Sequence, residues 1–196
     1  FRHGLTDAQI IGSARQPADD FIDTHETYTW YRAIGCAKAP LSILELGVRY
    51  GYAGIALTKG ALWAGVIFPI YVGVDAEADG IESNSIAARN IADTGSVVRI
   101  VAANTTDVTA TRDAIGADNA FDIVHVDADH SRSGILNEID IARRCVNSTG
   151  WILVDDIDTP HVEDAASAFC SSRGIIPLYI PTFHGMCLID MAQRAK

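Results

Sequence analysis

Leu44-Glu45-Leu46-Gly47-Val48-Arg49-Tyr50-Gly51-Tyr52 is the stretch on which the fold turns. The apolar run Ser42–Leu46 ends there in an acidic residue and two spaced glycines, and an Ala- and Leu-rich segment follows. The pattern predicts a buried strand, a tight turn and a helix. Glycines in such a turn let the backbone approach a ligand, and the helix N-terminus behind it favours a negative group. An ordinary strand-to-helix turn would have the same spacing. The stretch is not the dinucleotide pattern G-x-G-x-x-G, because Glu45 stands where its first glycine would be. A carboxylate at that strand end is a poor neighbour for a pyrophosphate and suits a ligand carrying an ammonium or sulfonium charge.

Further apolar runs follow at Ile70–Val74, Val97–Val101, Phe121–Val126, Trp151–Val154, Ile175–Ile180 and Met186–Met191. The first five runs of the chain are near-continuous, as expected of strands buried on both faces. Helical patterns separate them. Ile135, Leu136, Ile139, Ala142, Cys145 and Val146 keep helical spacing behind a Ser131 or Ser133 cap. Thr159-Pro160 reads as an N-cap with proline in the first helical position, ahead of a Val162, Ala165, Ala166, Phe169 face. Alternation of this kind predicts an α/β fold, a Rossmann-like, mostly parallel sheet of seven strands with helices on both faces. The last two runs are joined by hairpin-length Pro181–Gly185, so the last strand should be antiparallel. Residues 1–40 contain no strand signal and predict a helical extension with one early helix and a second across Asp20–Cys36. Residues 41–196 form the main domain.

In a parallel sheet the strand tips share one edge, where ligands of open α/β folds bind. The second run ends at Asp75, whose carboxylate can accept hydrogen bonds from both hydroxyls of a ribose or simply cap a helix. The fourth ends in Val126-Asp127-Ala128-Asp129-His130 and the fifth in Val154-Asp155-Asp156. Asp127, Asp155 and Asp156 should converge, and three carboxylates together repel unless a cation intervenes. A hard divalent ion such as Mg²⁺ resolves the conflict and keeps positions open for substrate oxygens. The competing reading makes Asp155 and Asp156 helix caps. His130 titrates near neutrality and can serve as a general base. His125, inside the strand, reads as structural. His184, in the terminal hairpin, could border a substrate pocket.

These residues resemble a known family. The Leu44–Tyr52 stretch is similar to the first motif of class I S-adenosylmethionine-dependent methyltransferases, especially the catechol O-methyltransferase version. Val126–His130 resembles the metal segment of the caffeoyl-CoA type. With the later Asp155-Asp156, it resembles the bacterial sugar and macrolide O-methyltransferases of macrocin or mycinamicin biosynthesis. The resemblance implies that Glu45, Gly47, Tyr50 and Gly51 surround the methionine part of S-adenosylmethionine and that Asp75 holds its ribose. Ala103, Asn104 and Thr105 would lie by the adenine, and Asp127 would serve both cofactor and metal. Asp127, Asp155 and Asp156 would bind Mg²⁺ or another divalent cation. The base would be His130 in the macrolide-type reading and Asp129 in the sugar-type one. The lysine and asparagine of the catechol enzymes are replaced here by His130 and Asp156, which argues against a catechol substrate.

Composition bounds the partners. The chain has 196 residues, 48% of them apolar, which suits a single globular domain. A formal charge of -10 argues against nucleic acid and anionic membrane surfaces. No apolar run reaches the roughly 20 residues of a membrane span. Cys36, Cys145, Cys170 and Cys187 are widely spaced in apolar company, with no C-x-x-C pair. They read as buried thiols of a cytoplasmic, reducing compartment. The expectation is an enzyme acting on a small-molecule hydroxyl acceptor. Its helical arm could serve homo-oligomer pairing, and Tyr28, Trp30 and Tyr31 on that arm could stack on a substrate or pack inward. The alternatives are a nicotinamide-dependent oxidoreductase, a cofactor-binding protein without catalysis, and a metal-dependent hydrolase.

Overall fold

The computed structural model describes residues 21–76, 81–116, 118 and 120–193. The early helix expected in the first twenty residues lies outside them. The chain runs α1 (Phe21–Lys38), β1 (Ser42–Leu46), α2 (Tyr52–Trp63), β2 (Ile70–Asp75), α3 (Ile81–Ala92) and β3 (Val97–Ala102). It continues through α4 (Val108–Ile115), β4 (Phe121–Val126), α5 (Arg132–Cys145), β5 (Val146–Val154), α6 (Pro160–Ser171), β6 (Leu178–Ile180) and β7 (Met186–Asp190).

One seven-stranded sheet has the order β3-β2-β1-β4-β5-β7-β6. β2 and β4 flank β1 in parallel, and β7 alone runs antiparallel to its neighbours. This is the predicted Rossmann-like architecture. On one face Tyr28, Tyr31, Ile55, Leu57 and Ile91 from α1, α2 and α3 pack over Ile43, Ile123 and Leu153. On the other, Ile135, Ile139, Val162 and Phe169 from α5 and α6 pack over Leu44, Val124 and Ile152. Two closed faces explain why β1, β4 and the end of β5 read as near-continuous apolar runs.

The departures have local causes. β3 is not buried on both faces: it is a sheet edge, and Val97 is exposed. The Ile175–Ile180 run forms strand only over Leu178–Ile180, because Pro177 offers no N–H to a ladder and Ile176 turns to solvent. β5 begins at Val146 rather than Trp151, with an irregularity opposite Phe121–Ile123. Ser131 is the α5 cap, accepting from the Gly134 N–H at 3.1 Å. All four cysteines are free; three are buried as expected, but Cys36 lies exposed on α1.

α1 is part of this core. It crosses α2 where glycines let the two backbones nearly touch: a Cβ on Gly60 would lie 2.2 Å from the Arg32 carbonyl oxygen, and one on Gly35 would lie 2.3 Å from that of Leu57. Tyr28 and Tyr31 are buried packing residues, while Trp30 is exposed. Among the described residues no helix is long and apolar enough to cross a membrane.

Candidate active site

The parallel ladder carries on past the strand ends and sets the loops side by side. Gly47 N–H donates to Val74 O at 2.9 Å, Asp127 N–H to Leu46 O at 2.9 Å, and Asp155 N–H to Val126 O at 3.1 Å. Between these loops lies a cavity of about 560 Å³, within the range usual for cofactor and substrate sites. Of the residues predicted from sequence, Glu45, Gly47, Tyr50, Asp75, Ala103, Thr105, Asp127, His130, Asp155, Asp156 and His184 line it. Gly51, Asn104 and Asp129 do not. Gly51 sits behind the wall as the left-handed N-cap of α2.

The glycine turn is held by its neighbours. Gly47 has φ +90°, and a Cβ there would lie 2.1 Å from the Asp127 carbonyl oxygen. Only glycine fits where the β1 turn rests on the β4 tip. Asp75 closes the turn from the other side, its Oδ2 accepting from Val48 N–H at 3.0 Å and Arg49 N–H at 2.8 Å. The residue expected to hold a ribose therefore also fixes the loop.

The acidic tips gather differently from the expectation. Asp127, Asp155 and Asp156 do not meet at one point; among the described residues three overlapping groups form, Asp127 with His130 and Asp156, Asp127 with His125 and Asp155, and Asp156 with Asp158 and His184. Successive residues at a strand end project to opposite sides. Asp155 turns toward α1, where the Tyr31 hydroxyl donates to its Oδ2 at 2.5 Å. Asp156, in a left-handed conformation at φ 55°, turns to His130. His130 Nε2 lies 2.8 Å from Asp156 Oδ2 and 3.5 Å from Asp127 Oδ1. Those two carboxylates push the His130 pKa up to about 10, and the imidazole holds Asp156 below the usual carboxylate range. Burial and the Asp127 charge push the Asp155 pKa up.

The donors suit a hard divalent cation. Three carboxylates line one cavity edge, and among the described residues no Lys or Arg ion pair neutralises them. Asp127 and Asp156 already reach one shared point, where His130 Nε2 stands.

Asp129 and Asn104 are occupied elsewhere. Asp129 Oδ1 accepts from the Ser131 N–H at 2.8 Å, at the start of α5. Asn104 Oδ1 accepts from the Thr106 N–H at 2.9 Å within its own turn. Both are short polar side chains beside free backbone donors, which they satisfy locally.

The sequence reading missed the parts played by four residues. Tyr31, expected to stack on a substrate or to pack inward, packs inward and also donates to Asp155. Tyr71, inside β2, donates its hydroxyl to Glu45 Oε2. His125, given only a structural part, lies between Tyr31 and Glu45. Its Nε2 is 2.7 Å from the Tyr31 hydroxyl and its Nδ1 is 3.4 Å from Glu45 Oε1, an ion pair without hydrogen-bond alignment. Burial pulls its pKa down, but Glu45, Asp127 and Asp155 outweigh that and raise it to about 9. Glu45 is thus turned down onto Tyr71 and His125 although it lines the cavity. Glu138 on α5, 1% exposed, accepts from Thr105 Oγ1 at 2.9 Å and Asp129 N–H at 2.7 Å. It ties the loop after β3 to the one after β4. Burial raises its pKa to about 7 against the pull of those donors. Its one sequence signal is a charge on the apolar face of a helix.

The fold and this site define a class I methyltransferase architecture. A family model described as a methyltransferase domain matches residues 44–157, more than half of the chain, and the chain belongs to that family. The match sets aside the oxidoreductase and hydrolase readings. No curated protein matches the chain in sequence. Among solved structures it is similar to the methyltransferase PaMTH1 of Podospora anserina bound to SAH, at 16% identity and TM-score 0.70 over 97% of this chain and 90% of that one. It is also similar to the Bacillus cereus O-methyltransferase in complex with SAH, at 15% identity and TM-score 0.68 over 93% and 88%. A third is the O-methyltransferase TomG of Streptomyces achromogenes, involved in tomaymycin synthesis and complexed with SAM, at 17% identity and TM-score 0.71 over 96% and 92%.

Proposed function

We propose that the protein transfers a methyl group from S-adenosylmethionine to a hydroxyl of a small acceptor, of the sugar or polyhydroxylated natural-product kind, with a divalent cation such as Mg²⁺. One observation carries this reading. The glycine turn, the Asp75 carboxylate and the Asp127–His130–Asp156 cluster open onto the same cavity, from adjacent strand tips. Cofactor complexes of similarly folded O-methyltransferases support it.

In this reading Gly47 and Tyr50 border the methionine part, Asp75 the ribose, and Ala103 and Thr105 the adenine. Asp127 and Asp156, with Asp155 beside them, would hold the cation. When bound, it would acidify an acceptor hydroxyl and offset the carboxylate charge. His130 would take the hydroxyl proton at Nε2; Asp129 is outside the cavity and engaged at α5. Beside two carboxylates His130 keeps its proton to about pH 10, so their charge must be offset before it acts as a base. The cavity walls bring acceptor oxygen and cofactor methyl together and orient them, and holding them at about 3 Å supplies much of the acceleration.

Calorimetry of S-adenosylmethionine binding, followed by SAH release with a panel of sugars and polyols, tests the proposal. Saturable one-site binding and Mg²⁺-dependent release are expected. Absence of binding refutes it, and binding without turnover on any hydroxyl acceptor favours a cofactor-binding protein that does not catalyse.

A further inference from the structure

A line of side chains runs beneath the cavity from Glu45 on β1 through His125 on β4 and Tyr31 on α1 to Asp155 past β5. The separations are 3.4 Å, 2.7 Å and 2.5 Å. Glu45, His125 and Tyr31 are at most 2% exposed. Burial that deep makes the proton positions determinate. The Tyr31 hydroxyl has one proton, and the Asp155 carboxylate only accepts, so Tyr31 donates to Asp155. Its oxygen then accepts from His125, which must carry its proton on Nε2. The Tyr31 ring packs edge-on against His125, 5.0 Å between centroids.

We propose that Tyr31 is a positioning residue for Asp155, fixing the direction of that carboxylate at the cation-binding edge and tying it, through His125, to Glu45 on the cofactor side. The inference rests on the cation-assisted reading above. Hydrogen-bond partners of metal ligands typically contribute about 10–100-fold to metal affinity. α1 thereby completes the site as well as the core.

The test is Mn²⁺ binding, followed by the EPR signal of the free ion, to wild type and to Tyr31→Phe, with SAH affinity and thermal melting measured in parallel. Expected is a Mn²⁺ affinity about tenfold weaker or worse in Tyr31→Phe, with SAH affinity unchanged within about twofold. In the Asp155→Asn background the same substitution should add no further loss, because Tyr31 acts through Asp155. Equal Mn²⁺ affinity in wild type and Tyr31→Phe, or an additive loss in the double variant, overturns the proposal and leaves the cation reading standing. A wild type that binds SAH but no Mn²⁺ overturns both. If Tyr31→Phe does not fold, the wild type decides by ¹⁵N NMR of its histidines. Saturating Mg²⁺ should shift the His125 signals, and signals that stay put refute the coupling.

Discussion

Replacing Gly47 by alanine tests whether the turn is as tightly determined as its surroundings imply. Two costs add at this position. An L-residue at φ +90° costs about 1–2 kcal/mol. The new Cβ would also lie 2.1 Å from Asp127 O and 2.7 Å from Ala128 Cα. Both are backbone atoms, so no side-chain rotation relieves the clash, and overpacking of this kind costs about 1–3 kcal/mol. A total near 3 kcal/mol lowers the melting temperature of a chain this size by about 6–12 °C. Gly65→Ala separates the two costs. Gly65 has φ +91°, and its Cβ would meet nothing within 4 Å, so it should lose only about 3–6 °C. Whatever part of the Gly47 clash is relieved by shifting the glycine turn itself should appear as weaker SAH binding, about tenfold for each 1.4 kcal/mol. Differential scanning calorimetry and SAH titration of both variants check this. Equal melting temperatures for the two, with SAH affinity intact in Gly47→Ala, would refute the packing argument.

Asp127→Ala should retain most SAH binding and lose turnover, and excess chelator should silence the wild type in the same way; full activity in either assay sinks the cation-assisted mechanism. His130→Ala should lower kcat by about 10²–10⁴ with SAH affinity preserved, the range for a lost general base, and a rate within threefold of wild type would exclude it from that part. Glu138 sets a pH dependence. Its folded pKa is raised from 4.5 to about 7, so its contribution is most favourable below the unfolded value and is lost as pH rises through 7. The difference amounts to about 3 kcal/mol. Urea unfolding at pH 5 and pH 8 should therefore show wild type losing stability relative to Glu138→Gln across that interval, and parallel behaviour would refute the assignment.

What the sequence made legible was whatever local order encodes. β1, β4 and the end of β5 are mostly apolar because helices cover both faces of the sheet, and their polar tips stand out for the same reason. The Gly47 turn, Asp75 and the Asp127 and Asp155-Asp156 tips were found because each ends a run, and parallel pairing sends every such end to one edge. The position of a tip is thus readable, but the direction of its side chain is not. Asp155 and Asp156 are neighbours in sequence yet face different partners, since one continues the strand alternation and the other adopts a left-handed backbone. Asp129 and Asn104 were placed in the site on motif position, and nearby backbone N–H groups captured them.

The residues that escaped are those whose role is made by distance along the chain. Tyr31 meets His125 across 94 positions and Asp155 across 124. On α1 it has the spacing of a core residue, and it is one. Its ring packs and its hydroxyl hydrogen-bonds to Asp155 and His125, and periodicity reports only the ring. His125 shares the difficulty, because an imidazole inside an apolar strand marks a buried polar partner without saying which. Both follow from one requirement. A buried carboxylate such as Glu45 must be paired, so a Glu at the end of a core strand already implies donors packed beneath it. Glu45 finds them in His125, its register partner on β4, and in Tyr71, two residues before its partner Gly73 on β2, and His125 leads on to Tyr31. The acidic residue of the first motif is therefore informative twice, once for the cavity above it and once for the polar line below.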